Sequence, residues 1–264
     1  MSSSRRSRLP TALSLGLGLV MVLGACGSSG PPAPESGGVG TVVDRAMPSS
    51  IGALRLRDSS GHVVSLDSFH GKTLVISDSM TLCSEDCPLD TANVTAAAKA
   101  ADAAGLGDKV EFLTVTVDPA RDDRHHLDAY RGLYDPHRQL PNWELLTGDQ
   151  STLTELWKYF GVFWKKVPEA SPPDHDWLTG KPLTYDIAHS DDVLMIDPSG
   201  HERYVIQGHA YVSASGRVPA TMRSYLSPAG RRHLYRPGDA TWTPGDVLQG
   251  VSWLTGRHVS LAAS

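Results

Sequence analysis

Cys83-Ser84-Glu85-Asp86-Cys87-Pro88 stands between a compact apolar run, Thr73 to Ile76, and an alanine-rich stretch from Pro88 to about Ala104. The apolar run suits a buried strand. The alanine-rich stretch suits a helix, and Gly105 offers its stop. A proline directly after the second cysteine fits the first helical turn, which puts Cys87 at or beside the helix N-terminus. There the helix dipole and the free backbone amides favour a thiolate. Glu85 and Asp86 act against a bare thiolate, yet their charge suits a bound cation. Cysteines four apart in a turn leading into a helix can bring their sulfurs together, either to close a disulfide or to grip one soft metal ion.

Outward from this stretch, strands alternate with helices. Leu54 to Arg57 and Val63 to Leu66 flank Ser59-Ser60-Gly61 and read as an N-terminal hairpin. Val110 to Val117 predicts a strand, Asp122 to Tyr134 a helix with Leu127, Tyr130 and Tyr134 near helical spacing, and Trp143 to Leu146 a strand. Ser151 to Phe160 carries Leu153, Leu156, Trp157 and Phe160 on one stripe, with Gly161 after it, and predicts an amphipathic helix. Further strands fit Val162 to Val167, Val193 to Ile196 and Arg203 to Ile206. Asp197-Pro198-Ser199-Gly200 supplies a turn between the last two. The alternation argues for an α/β fold with a central sheet flanked by helices, and there is no internal repeat.

The first residues decide the compartment. Arg5, Arg6 and Arg8 precede an apolar run from about Thr11 through Leu23, too short to span a membrane comfortably but laid out as a secretory signal peptide. Leu23-Gly24-Ala25-Cys26-Gly27 resembles the lipobox of bacterial lipoproteins. Residues 1–25 are thus expected to be removed and Cys26 to carry lipid, anchoring the chain to the extracytoplasmic face of the bacterial membrane. An ordinary secretory cleavage site is the other reading. Gly27 to about Ser50 is rich in Gly, Ser and Pro, so residues 26–50 are expected to form a flexible tether and 51–264 the folded domain.

The 264 residues, of net charge −5, can bury a core without extra staples. Removal of the three arginines leaves the mature chain more acidic, and nothing favours nucleic acid. With Cys26 lipidated, Cys83 and Cys87 are the remaining two of three cysteines, too few for a disulfide scaffold in an oxidising compartment.

Two thiolates select copper(I) or zinc, and an imidazole completes either kind of site. Of the eleven histidines, His125 and His126 fall on a polar helix face, and His137, His175 and His201 in loops or turns, where solvation is the expectation. His189 differs: Asp186-Ile187-Ala188-His189-Ser190 runs directly into a buried-looking strand, which can bring the imidazole to the cysteines' end of the sheet.

The segment Cys83 to Pro88 resembles the Cys-Pro-x-x-Cys-Pro signature of the Sco/SenC family. Thr116-Val117-Asp118-Pro119-Ala120-Arg121-Asp122 is similar to that family's Val-Asp-Pro-x-Arg-Asp motif, and Tyr159-Phe160-Gly161-Val162 to its Tyr-Gly-Val segment. His189-Ser190 followed by Leu194-Met195-Ile196-Asp197-Pro198-Ser199-Gly200 resembles its histidine, strand and turn. These ordered motifs cover roughly residues 50 to 206. The resemblance implies a thioredoxin-like fold in which Cys83, Cys87 and His189 bind copper. The copper would be delivered to, or prepared for, the binuclear centre of cytochrome c oxidase, so the implied partner is the oxidase's copper-binding subunit or another copper protein. It also implies that the cysteines can act as a redox pair, a dithiol reductant for the oxidase's own metal-binding cysteines. By the same analogy Asp118 orients or tunes the site without ligating; a carboxylate that only ends a strand before proline is the alternative.

Two features depart from the family pattern. Ser84 replaces the proline that follows the first cysteine. After Gly208 the chain does not follow the short family ending: Asp246 to Leu254 can supply the last helix, leaving about 210–245 as a C-terminal insertion that is either a partner-binding surface or decoration.

Three functions stay open on these residues. A copper chaperone uses both thiols and His189. A thiol-disulfide oxidoreductase or peroxidase-like protein uses the thiols alone. A binding module would carry Cys83 and Cys87 as a structural disulfide. No phosphate-cradling glycine loop or Cys-x-x-Cys-His points to nucleotide, flavin or haem.

Overall fold

The structure, a computed structural model, describes residues 30–35, 38–212, 217–238 and 240–262. The expected signal peptide and Cys26 lie outside the described residues. No described helix is long and apolar enough to cross a membrane.

In chain order the elements are β1 (Gly40–Ala46), α1 (Ser49–Gly52), β2 (Leu56–Asp58), β3 (Val63–Val64), β4 (Thr73–Ser79), α2 (Cys87–Ala103), β5 (Val110–Thr116), α3 (Arg124–Tyr134), β6 (Trp143–Gly148) and α4 (Gln150–Phe160). They continue with β7 (Trp164–Val167), β8 (Asp186–His189), β9 (Asp192–Ile196), β10 (His201–Gln207), β11 (His209–Ala210), α5 (Ala220–Tyr225), α6 (Pro228–Tyr235), β12 (Thr241–Trp242) and α7 (Pro244–Thr255).

Eight strands form one mixed sheet in the order β1-β10-β9-β4-β5-β6-β2-β3. β4, β5 and β6 run parallel, while β9 is antiparallel to β4 and β10 antiparallel to β9. A β4-α2-β5 half followed by a β9-β10-α7 half is the connectivity of the thioredoxin-like fold. The N-terminal hairpin stands where expected, as β2 and β3 at one edge.

Every residue of β4 and of β5 is buried, as central strands covered on both faces must be. Side chains alternate between two core layers. Leu74 and Ile76 pack in the layer that holds Leu153, Leu156 and Trp157 of α4. Val75 points the other way, into the layer of Leu89, Val94 and Ala97 of α2 and Val247, Leu248 and Val251 of α7. The alanines of α2 serve this close packing: Ala92, Ala97, Ala98 and Ala101 are all buried. Gly250 does the same for α7, since a Cβ there would lie 2.3 Å from Met195 Sδ. α4 stops at Gly161, whose φ of 77° is left-handed.

Two expectations need correction. The tether does not reach residue 50: Gly40–Ala46 pairs antiparallel with β10 and closes that edge of the sheet. The short run Thr41-Val42-Val43 had been masked by the glycine and serine around it. The segment 210–245 is more than surface decoration, because Val218, Met222, Leu226 and Trp242 join the core. Buried Asn93 of α2 also donates to Tyr211 O (3.1 Å) and Trp242 O (3.3 Å). The strand expected at Val162 to Val167 is present as β7, which pairs with β8 in a separate two-stranded ribbon.

Candidate metal centre

The loop from Met80 to Asp86 leaves the end of β4 and enters α2 at Cys87. It is fastened from several sides. The amide and hydroxyl of Thr81 both donate to Asp122 Oδ1 (3.1 and 2.5 Å). Trp177 Nε1 donates to Thr81 O (2.8 Å) and the Tyr225 hydroxyl to Leu82 O (3.0 Å). Ser84, in the place of the family's proline, donates its hydroxyl to Asp174 Oδ2 (3.2 Å). A loop held this way presents its sulfurs in a fixed geometry, which lowers the ordering cost of gripping an ion.

Cys83 and Cys87 are free thiols, 7% and 0% exposed. His189 ends β8, where the ribbon sets it opposite Trp164 and brings it to the cysteines. Its Nε2 lies 3.3 Å from Cys87 Sγ. The two sulfurs and the imidazole nitrogen all fall within 4.8 Å of one another. The structure thus brings together the three residues singled out as ligands.

The far side of the ring is anchored as well. His189 Nδ1 lies 2.7 Å from Asp78 Oδ2 and 2.7 Å from Ser190 O, and Asp78 Oδ1 accepts the Asp192 amide at 2.8 Å. A proton on Nδ1 is held by these acceptors, so Nε2 is the ring nitrogen that faces the sulfurs and can ligate once it is free of a proton. Asp78 is the orienting carboxylate, and it was not singled out because the strand was read as ending at Ile76. The available signal was an acidic residue two positions after the buried apolar run, with only Ser77 between, a placement that calls for a partner.

Asp118 has a different post from the one expected. Its carboxylate accepts the Tyr185 hydroxyl at 2.9 Å and the Arg121 guanidinium. Arg121 also donates to Tyr185 O at 2.7 Å and stacks 4.0 Å over the Tyr185 ring. Asp122, from the same motif, accepts from Thr81 and Thr116. The Val-Asp-Pro-x-Arg-Asp motif therefore braces the segments on which the cysteines and His189 stand, rather than touching those three residues. His126, expected to be solvated, is instead wedged between Asp123 (3.0 Å) and Asp176 (3.1 Å).

Burial sets the electrostatics. The Cys87 thiol is pushed up to about 11, chiefly because its charged form would be stripped of water, with Asp191 and Asp90 adding repulsion. The Cys83 thiol is raised by its hydrogen bond to Cys87 and by burial. The helix N-terminus, expected to favour a thiolate at Cys87, is outweighed by desolvation. Burial also lifts Asp78 to about 6 against the pull of His189. For His189, burial acts downward but the bonds to Asp78 and Cys83 win, and its pKa is raised. A soft cation entering this pocket supplies the missing positive charge and displaces the thiol protons.

Among known proteins, the fission yeast Schizosaccharomyces pombe has a relative, Protein sco1, that is 28% identical over 149 residues, 56% of this chain and 51% of the relative. The chain thus spans about half the length of that curated relative. Bradyrhizobium japonicum ScoI, solved with copper bound, is 25% identical, with 69% of this chain and 99% of that one covered at a TM-score of 0.48. Arabidopsis thaliana ScoI, also solved with copper bound, is 22% identical, with 60% and 88% covered at a TM-score of 0.47. The SCO1/SenC family model matches residues 44–226, a span that includes the β1 strand's end and the first part of the segment expected to be an insertion. On the strength of that match, which takes in most of the chain and every residue of the Cys83, Cys87 and His189 centre, the chain belongs to the SCO1/SenC family.

Proposed function

We propose that this protein is an extracytoplasmic, lipid-anchored copper chaperone. It carries copper as cargo on Cys83, Cys87 and His189 and delivers it to the copper centre of cytochrome c oxidase. The observation that carries the reading is the donor set: two buried thiols and one imidazole within 4.8 Å, the imidazole steered by Asp78. Thiolates select copper(I) and zinc, but zinc in a closed site takes four protein ligands. Three donors in a pocket nearly shut to water suit copper(I).

The same geometry speaks against a metal-free thiol-disulfide enzyme. Burial pushes the Cys87 thiol up and keeps it protonated, a poor start for attack on a disulfide. The signal-like start and Cys26 support the lipid anchor and the extracytoplasmic location, and family membership supports the oxidase as client.

Delivery is tested by mixing the copper(I)-loaded full chain with the metal-free, reduced copper-binding domain of the oxidase subunit, then separating the two. Copper should follow the oxidase domain. Copper that stays behind, together with stoichiometric reduction of a disulfide-bonded oxidase domain by the metal-free chain, would replace delivery with thiol reduction. In that exchange the two electrons come from Cys83 and Cys87 as they close a disulfide. The anchor has its own test: the mature protein from expressing cells should carry lipid on an N-terminal Cys26 by intact-mass spectrometry, and a mature N-terminus without lipid would refute it.

A further inference from the structure

Asp86 sits between the two cysteines in sequence, yet its side chain turns away from them toward the C-terminal segment. Its Oδ1 lies 2.6 Å from His233 Nδ1 of α6, and its Oδ2 lies 2.8 Å from His209 Nδ1 of β11. The two rings are 4.8 Å apart between centroids, and the three donor atoms lie within 4.8 Å of one another. The carboxylate is nearly buried, at 8% exposure, while the imidazoles stand 50% and 31% exposed. A cation can therefore reach the cluster from solvent.

The segment carrying His233 is pressed onto the cysteine loop by backbone contacts. The Ser227 amide donates to Ser84 O at 2.8 Å. A Cβ on Gly230 would come within 2.7 Å of Ser84 O and 2.9 Å of Glu85 O, so only glycine permits this approach. Asp191 links the cluster to the copper pocket, lying 3.6 Å from His209 Nδ1 and 4.0 Å from His189 Nδ1. His233 falls outside the matched family span, which ends at 226.

We propose that Asp86, His209 and His233 form a second metal site that binds a divalent cation of borderline softness, copper(II) foremost, at the mouth of the thiol pocket. Two imidazoles and a carboxylate are the donors such ions prefer, and copper(II) leads the divalent series in affinity for nitrogen and oxygen sites. The ion takes the place of the direct contacts between the carboxylate and the rings, and it ties the cysteine loop, β11 and α6 together. Only the preference for copper over zinc as the natural occupant rests on the proposed chaperone function.

The test titrates copper(II) alone into the full chain carrying Cys83→Ser and Cys87→Ser, which removes the thiolate pocket. One equivalent should bind, with electron paramagnetic resonance showing coupling to two imidazole nitrogens. Affinity should fall at least about tenfold in this background with His209→Ala, His233→Gln or Asp86→Asn. No binding, binding without nitrogen coupling, or binding indifferent to all three changes would overturn the site. A second arm guards against misfolding of the serine variant: zinc(II) is titrated anaerobically into the copper(I)-loaded chain with its cysteines intact. A second equivalent that disappears with His233→Gln supports the site, and its absence contradicts it. If copper(I) fails to load while the serine variant still binds copper(II) through His209 and His233, the chaperone reading falls and the second site stands.

Discussion

Asp78 and His189 lie 111 residues apart in sequence and 2.7 Å apart in space, carboxylate oxygen to ring nitrogen. The contact exists because β4 and β9 pair antiparallel, with Ser77 opposite Val193, so that the end of β4 meets the chain just ahead of β9. It converts a histidine at the end of a ribbon strand into an oriented ligand.

Removing that carboxylate should weaken the centre without abolishing it. Partners of this kind typically change metal affinity 10- to 100-fold. Asp78→Ala is therefore expected to lower copper(I) affinity by about that much in a competition titration while one equivalent still binds. Asp78→Asn keeps an acceptor for the ring and should lose less. Equal affinity in Asp78→Ala and the unaltered chain would remove Asp78 from the account.

Copper(I) affinity should rise steeply with pH. With Cys87 at about 11 and Cys83 also raised, both sulfurs hold protons at neutral pH, and binding must release them. Release of the two thiol protons corresponds to about a 100-fold gain in apparent affinity per pH unit, and the raised His189 steepens the slope further wherever its imidazolium must also give up a proton. A flat profile from pH 6 to 8, measured against a competitor of known pH dependence, would show that the thiols are already ionised.

Asp122 should make the fold less stable as pH rises from about 4 to 6. Burial lifts its pKa to about 6, so the folded chain keeps a proton through a range in which the unfolded chain, near 3.9, has released it. Stability from this group is full below about 4, declines through the window and is lost above about 6, by about 3 kcal/mol in all. Urea melts of Asp122→Asn should show that part of the slope removed. An unchanged slope would mean that the hydrogen bonds from Thr81 and Thr116 keep Asp122 ionised.

The α/β class, the strand at Thr73, the alanine-rich helix and the Cys83, Cys87, His189 set were legible because each rests on local pattern: an apolar run, a proline after a cysteine, a histidine beside a strand. The orienting role of Asp78 was not, since it depends on which strand pairs with β4 and in what register. Asp118 was misplaced for a related reason: motif order predicts proximity to the site, but only the side-chain partners show that its carboxylate is committed to Arg121 and Tyr185. His209 and His233 gave no signal because no spacing in the chain relates them to Asp86; the docking of α6 on the cysteine loop does. β1 was lost to composition, its short Thr41-Val42-Val43 run outweighed by flanking glycine and serine.

The central claim, that Cys83, Cys87 and His189 act as one copper site, is tested most directly by anaerobic copper(I) titration of the reduced full chain alongside Cys83→Ser, Cys87→Ser and His189→Ala. The account predicts one tight equivalent in the unaltered chain and weaker binding in every variant. Weak binding throughout, or tight binding that ignores the loss of His189, would contradict it.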